Sequence, residues 1–239
     1  MNVIFPDWPA PQGVKAAVTL RIGGVSQDPY ASWNLATHVG DDPQAVALNR
    51  KILQEQLKLP SEPLWLKQTH GDRVVAADAC YAVPPVADAS FASSPNTVCA
   101  VLTADCLPIL LTDGHTVAAV HAGWRGILVG IIEQALTVPS WQRRPMAWLG
   151  PAIGPDAFEV GPEIRDAFLA RCPDFAAAFY THGKRYLADL YGLAKLILKA
   201  HGVDAIYGGD FCTYREPQRF FSYRRDGVCG RMASLIWRC

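Results

Sequence analysis

The apolar positions of this 239-residue chain come in short blocks whose period changes along the sequence, and the blocks predict its elements. Residues 16–21 (AAVTLR) read as a strand, with Ile22-Gly23-Gly24 as the turn that follows. Asp41-Asp42-Pro43 carries the marks of a helix start, an Asp cap with proline in the first turn. That helix is predicted to run to about Leu57 and to stop before Pro60. Short strands are expected at 64–67 and 73–77. Residues 84–96, rich in Pro, Ala and Ser, read as a long loop.

Strands follow near 98–102, 108–111 and 117–121, the last two joined by an Asp113-Gly114 turn. Residues 126–136 fit one apolar helix closed by Pro139, and 146–149 another strand. Residues 162–171 and 190–200 have the spacing of amphipathic helices, and 205–207 and 233–237 supply late strands. Strands and helices interleave around central hairpins, with no internal repeat and no linker. The expected class is mixed α/β: one domain over residues 1–239, an α/β/α layered sandwich with a mixed sheet and its helices outside.

Half the residues are hydrophobic, enough for a sizeable core. The 22 basic and 22 acidic side chains cancel, which removes the electrostatic case for a nucleic-acid or membrane-surface partner. No apolar run reaches the roughly 18 residues of a membrane span, and the stretch MNVIFPDWPAPQG lacks a secretory pattern. Seven cysteines, an odd number without a C-x-x-C pair, argue against a disulfide framework or a zinc ribbon. A reducing cytoplasm is expected, where a functional cysteine is a nucleophile or a metal ligand.

One apolar block contains a contradiction. In ADCLPIL a carboxylate, Asp105, and a thiol, Cys106, interrupt what otherwise reads as buried sheet. Cys106 is open to two readings, core filler and ligand. Asp105 needs a partner elsewhere, because a buried carboxylate is costly unless paired. Two histidines share the setting of Cys106, each beside a turn at the end of a strand-like run: His70 in LKQTHGDRV and His121 in AVHAGWRG. Two His and one Cys suffice for a catalytic zinc with a fourth position left open, although copper accepts the same donors. Asp105 beside such a metal is placed to fix an imidazole tautomer or to carry a proton. After His121, glycines bracket Trp124 and Arg125 at a predicted helix start, and Arg125 offers a forked donor pair suited to phosphate. The other cysteines and His115, His182 and His201 read as core, tail or surface residues.

Six stretches in order carry a resemblance that spans nearly the whole chain: RIGGVSQDPYASWNLATHVGDDPQAVALNR, LKQTHGDRV, TADCLPILL, HAGWRG, GPAIGPDAFEVG and FFSYRRDGVCGRMASLIW. Together they resemble the YfiH-like laccase-domain family, long labelled polyphenol oxidase. The resemblance implies the α/β/α-type sandwich and a zinc site made by His70, Cys106 and His121. It implies action on purine nucleosides with phosphate: phosphorolysis of adenosine, inosine, guanosine and methylthioadenosine, with adenosine deamination. In that reading Asp105 is a catalytic proton carrier and Arg125 binds substrate phosphate. Copper, implied by the older label, is the less favoured metal, since a multicopper site needs more histidines than the six present. Two alternatives stand beside it: a zinc amidase editing peptidoglycan precursors, and a zinc-stabilised domain that binds a partner without catalysis. Trp33 and Cys229 depart from the family pattern, and Trp33 is expected to reshape the mouth of the pocket.

Overall fold

A computed structural model describes residues 2–239. The first strands are β1 (Val3–Ile4), β2 (Val14–Thr19), β3 (Val74–Ala76), β4 (Ala89–Ala92), β5 (Val98–Thr103), β6 (Leu107–Thr112) and β7 (Val117–Ala122). The later ones are β8 (Met146–Leu149), β9 (Glu159–Val160), β10 (Phe179–His182), β11 (Arg185–Ala188), β12 (Ile206–Gly208) and β13 (Met232–Arg238). The helices are α1 (Pro43–Leu57), α2 (Trp124–Val129), α3 (Ile131–Thr137), α4 (Pro162–Arg171), α5 (Leu190–Ala200) and α6 (Tyr223–Asp226).

These strands form a four-stranded antiparallel sheet, β1-β2-β13-β5, and a six-stranded sheet, β12-β8-β6-β7-β4-β3. The six-stranded sheet is mixed, with parallel pairs at β12–β8 and β3–β4 and antiparallel pairs between. A small sheet, β10-β11-β9, lies apart from both. Every residue of β5, β6 and β7 is buried, so these strands read as continuous apolar runs with both faces covered. Val18, Cys99, Val101 and Ile236 of the smaller sheet meet Leu110, Val117, Ala119 and Trp148 of the larger one. Leu53 of α1 packs with Ala17, Ala100, Leu235 and Trp237 on the outer face of the smaller sheet. Side chains of α2, α3, α4 and α5, among them Ile127, Ile131, Phe168 and Leu193, cover the outer face of the larger one. The mixed α/β sandwich expected from the sequence is the observed one, and its central β layer consists of two sheets packed face to face.

Helix α1 begins where its cap predicts. Asp42 accepts the Gln44 N–H through its side chain, and Lys58, with φ of +48°, closes the helix. The predicted bounds of α4 and α5 also hold. The stretch 126–136 does not form one helix: α2 and α3 part at Gly130, whose φ of +107° suits glycine. Residues 84–96 are not all loop, because they contain β4. Its Ala89, Ser90 and Ala92 are buried between β3 and β7, and strand propensity, low for Ala, does not register such burial. Residues 64–67 reduce to two isolated bridges, Leu64 with Cys99 and Lys67 with Val86. Trp33, expected near the pocket, is fully buried in the core under α1 and donates its Nε1–H to Asn49 O at 3.1 Å. Among the described residues no helix is long and apolar enough to cross a membrane.

Candidate active site

The register of β6 and β7 brings two of the sequence-predicted donors together. Leu107 opposes Ala122, and Pro108 opposes His121. Side chains alternate along a strand, so Cys106, one residue before β6, shares the face of Pro108 and lies diagonally from His121. At this end of the sandwich a cavity of about 610 Å³ opens, and His70, Asp105, Cys106, His121 and Arg125 all line it.

His70 comes from a loop, and one carboxylate that sequence reasoning missed holds that loop in place. Asp88, fully buried, immediately precedes β4. Its Oδ1 accepts the His70 N–H at 2.9 Å and its Oδ2 accepts the Gly71 N–H at 2.9 Å. Thr69 donates its N–H to the same carboxylate at 3.1 Å and its hydroxyl at 3.2 Å. Three successive N–H groups converge on one anion, and His70 adopts a left-handed φ of +61° to make this possible. Asp88 Oδ1 also accepts the His121 Nδ1–H at 2.8 Å. That bond turns the other ring nitrogen of His121 toward the cavity, as orienting carboxylates do beside metal-binding histidines. One side chain therefore positions two donors from different segments.

The electrostatics follow from this packing. Burial works against charge on Cys106, but the adjacent His121 and His70 imidazoles draw its thiol down to about 6. Burial also works against protonating His121, yet the Cys106 sulfur and the Asp88 carboxylate lift it to about 9. Asp88 is held below the usual carboxylate range: burial opposes this, and the bond from His121 with the N–H groups of Gly71 and Thr69 outweighs it. The pair thus favours a thiolate beside a protonated His121: the sulfur is in the form that binds metal, and a bound ion would take the place of the cavity-facing proton of His121.

The donor set fits a metal ion. The three ligand atoms lie within 4.8 Å of one another, and no other such cluster occurs among the described residues. Cys106 Sγ is 3.7 Å from His70 Nε2, against about 3.6 Å for sulfur and nitrogen on a tetrahedral ion with ordinary zinc bond lengths. The His70 and His121 rings meet edge to face with centroids 4.7 Å apart. Gly123 opens the space: a Cβ there would lie 2.9 Å from Cys106 Sγ and 3.0 Å from His70 Cδ2. Softness of the set, one thiolate and two imidazoles, selects zinc or copper over harder ions.

Asp105 has the distant partners that its burial demands. Its Oδ1 accepts the Thr213 hydroxyl at 2.6 Å, and its Oδ2 accepts the Arg224 backbone N–H at 2.6 Å. It takes a left-handed φ of +90° just before Cys106, and its carbonyl accepts the Ile153 N–H. The carboxylate on an imidazole is accordingly Asp88, while Asp105 ties the Cys106 turn to the segment before β13. Arg125 is exposed on α2, with its guanidinium 4.2 Å from the centroid of the Trp124 ring. The cavity also takes in His38, Gln68, Phe158, Tyr223, Arg224 and Arg231, none singled out from sequence. All six fall within stretches that carry the resemblance, but nothing in their spacing marks them as neighbours.

Comparison with known proteins identifies the family. Residues 15–239 match the family described as multi-copper polyphenol oxidoreductase laccase. A Shigella flexneri protein named purine nucleoside phosphorylase YfiH is 53% identical over 99% of this chain and 98% of its own length. A Pseudomonas aeruginosa protein also named purine nucleoside phosphorylase is 51% identical over 98% of this chain and 97% of its own. Among solved structures, a Neisseria meningitidis protein superposes with a TM-score of 0.96 at 50% identity, covering 100% of this chain and 99% of that one. With the family's match and two relatives above half identity spanning its length, the chain belongs to the multi-copper polyphenol oxidoreductase laccase family, whose YfiH-named members it resembles end to end.

Proposed function

We propose that the protein is a zinc-dependent purine nucleoside phosphorylase acting on adenosine, inosine, guanosine and methylthioadenosine, with adenosine deaminase activity in the same cavity. The observation that carries this reading is the His70–Cys106–His121 cluster lying in one cavity with unpaired arginines and apolar walls. Relatives named purine nucleoside phosphorylase support the reaction class. Zinc is chosen over copper because the described residues offer one cluster of three donors, not the several sites of a multicopper oxidase. Held by three protein donors, zinc supplies a Lewis acid with one position left for substrate or water.

The protein's own groups meet the remaining demands. Phosphorolysis breaks the bond between C1′ and the base nitrogen, whose electron pair leaves with the base, and joins C1′ to a phosphate oxygen. Phosphate must be held behind C1′ while positive charge develops on the ribose. Arg125 suits that task, since its guanidinium lies over the Trp124 ring beside the cavity and no carboxylate among the described residues competes for its fork. Trp124, Phe158, Leu102, Ile153 and Leu190 give flat apolar surface for the nucleoside. Asp88 keeps His70 and His121 in place, and Asp105, with both oxygens engaged, keeps Cys106 in place. Deamination replaces phosphate with water, so it makes no demand on Arg125.

The test is turnover by metal-analysed protein. Inosine with phosphate should give hypoxanthine and ribose 1-phosphate, and adenosine should give inosine without phosphate. Arg125→Ala should weaken phosphate use by about tenfold to a hundredfold, from the loss of one or two charge-assisted bonds, and should leave deamination much less affected. Equal losses in both reactions contradict the phosphate assignment. Release of an amino acid from a muramyl peptide without phosphate, with inosine untouched, selects the amidase instead.

A further inference from the structure

The cavity has a second cationic wall that the foregoing mechanism leaves unused. Arg231 immediately precedes β13, and the register that sets Met232 opposite Thr103 of β5 brings it to the cavity from the four-stranded sheet. Arg125 approaches from α2, on the side of the six-stranded sheet. The Arg231 guanidinium is half-buried and lies 5.8 Å from the centroid of the Tyr223 ring. Its Nη1 donates to the carbonyls of Cys229 at 2.8 Å and Gly230 at 3.0 Å, which leaves Nε and Nη2 free of oxygen acceptors. Arg224 also lines the cavity, with Nη1 on Glu159 O at 2.9 Å and its guanidinium 5.2 Å from the centroid of Phe158.

The surrounding segment shows what is unusual here. Arg215 pairs with Asp156, Arg219 with Glu216 and Arg225 with Asp226. None of these three lines the cavity, whereas Arg224 and Arg231 line it and form no ion pair among the described residues. His38, which also lines the cavity, is held below its usual value by burial and then by the charges of Arg231 and Arg50, so it supplies no counter-charge there. A half-buried cation without a counter-charge is costly, and an anionic ligand removes that cost. Two guanidinium groups with free edges suit the several oxygens of a phosphoryl group.

We propose that Arg231 and Arg224 form a second anion subsite, separate from Arg125, that takes a phosphoryl group, either free phosphate or one carried on the nucleoside. It rests on the nucleoside reading above for the choice of probe. The experiment is calorimetry in phosphate-free buffer with inosine, inosine 5′-monophosphate and inorganic phosphate as separate titrants. The proteins are the unaltered chain, Arg231→Ala, Arg224→Gln and Arg125→Ala.

If the phosphoryl group is carried on the nucleoside, the monophosphate binds at least about tenfold more tightly than inosine, and Arg231→Ala removes that gain. If the source is free phosphate, inorganic phosphate binding falls by a similar factor in Arg231→Ala while the two nucleoside probes bind alike. In either case inosine affinity changes by less than about threefold, which checks that the cavity is intact. Arg224→Gln, on an exposed side chain, serves where Arg231→Ala disturbs the loop. Phosphoryl binding that is absent, unchanged in both variants, or lost only in Arg125→Ala overturns the subsite. Turnover of inosine with phosphate, measured beside it, judges the nucleoside reading separately: turnover without binding at Arg231 leaves that reading standing and removes the subsite. Phosphate binding at Arg231 without inosine binding or turnover does the reverse.

Discussion

Two buried aspartates organise the two halves of the site, and they do so differently. Asp88 touches the donors themselves: it holds the His121 ring and gathers the N–H groups of residues 69–71, so that His70 arrives from a loop. Asp105 touches no donor ring. It bonds to Thr213 and to the Arg224 backbone, and thereby clamps the turn that carries Cys106 to a segment more than a hundred residues away. One half is thus a compact nest around the imidazoles, and the other a long-range clasp behind the thiol. Because different residues hold the imidazoles and the thiol's turn, metal affinity and local stability should be separable by mutation.

The largest effect is expected from Asp88→Asn. An amide presents an NH2 where either His121 Nδ1–H or a loop N–H needs an acceptor, so one imidazole loses its orientation. Zinc affinity should fall by about tenfold to a hundredfold, the usual consequence of removing a carboxylate behind a metal-binding histidine. Competition with a chromophoric chelator measures it, and unchanged affinity would show that the imidazoles hold their places without the nest.

Asp105→Asn should reverse the balance. Its amide keeps one acceptor and orphans either the Thr213 hydroxyl or the Arg224 N–H. The fold should lose about 1–3 kcal/mol of stability, read by denaturant unfolding, with zinc affinity reduced less than about tenfold. A larger loss of metal than in Asp88→Asn would dissolve the distinction between nest and clasp.

Asp113 supplies the smallest effect and the control. It accepts N–H groups from His115, Thr116, Gln142 and Arg143 in a turn remote from the cavity. Burial opposes its ionisation, yet these N–H groups hold its carboxyl below the usual range. A folded-state value below the unfolded one means stability that is present above the unfolded value and lost as pH falls through the folded one. Asp113→Asn should therefore lower the melting temperature modestly at neutral pH, converge with the unaltered protein in acid, and leave zinc affinity unchanged. A stability difference that persists in strong acid would remove the carboxylate charge from the explanation.

The same two aspartates mark how far the sequence could be read. Asp105 was legible because it breaks an apolar run, and its burial demanded a partner; Thr213 and Arg224, joined only by the tertiary fold, were not. Asp88 gave no such signal. It lies among Pro, Ala and Ser, in a stretch whose small side chains read as loop but whose β4 pairs with both β3 and β7. Helix α1 was legible from its cap and α5 from its periodicity; α4 has the expected bounds but buries only Phe168, so it is not the amphipathic helix expected there, and β1, β9 and α6 are too short to show a period. The break between α2 and α3 was missed because Gly130 sits inside an apolar stretch that continues on both sides. Arg224 and Arg231 stood in plain view as charges, and only the fold shows that they, unlike their paired neighbours, face the cavity.

Everything above turns on one zinc ion held by His70, Cys106 and His121. Diffraction from crystals of the purified protein, recorded just above and just below the zinc absorption edge, tests it directly. One anomalous peak per chain is expected, within bonding distance of Cys106 Sγ, His70 Nε2 and the cavity-facing nitrogen of His121, that appears only above the edge. A peak at another place, none at the cluster, or one that instead tracks the copper edge would contradict it.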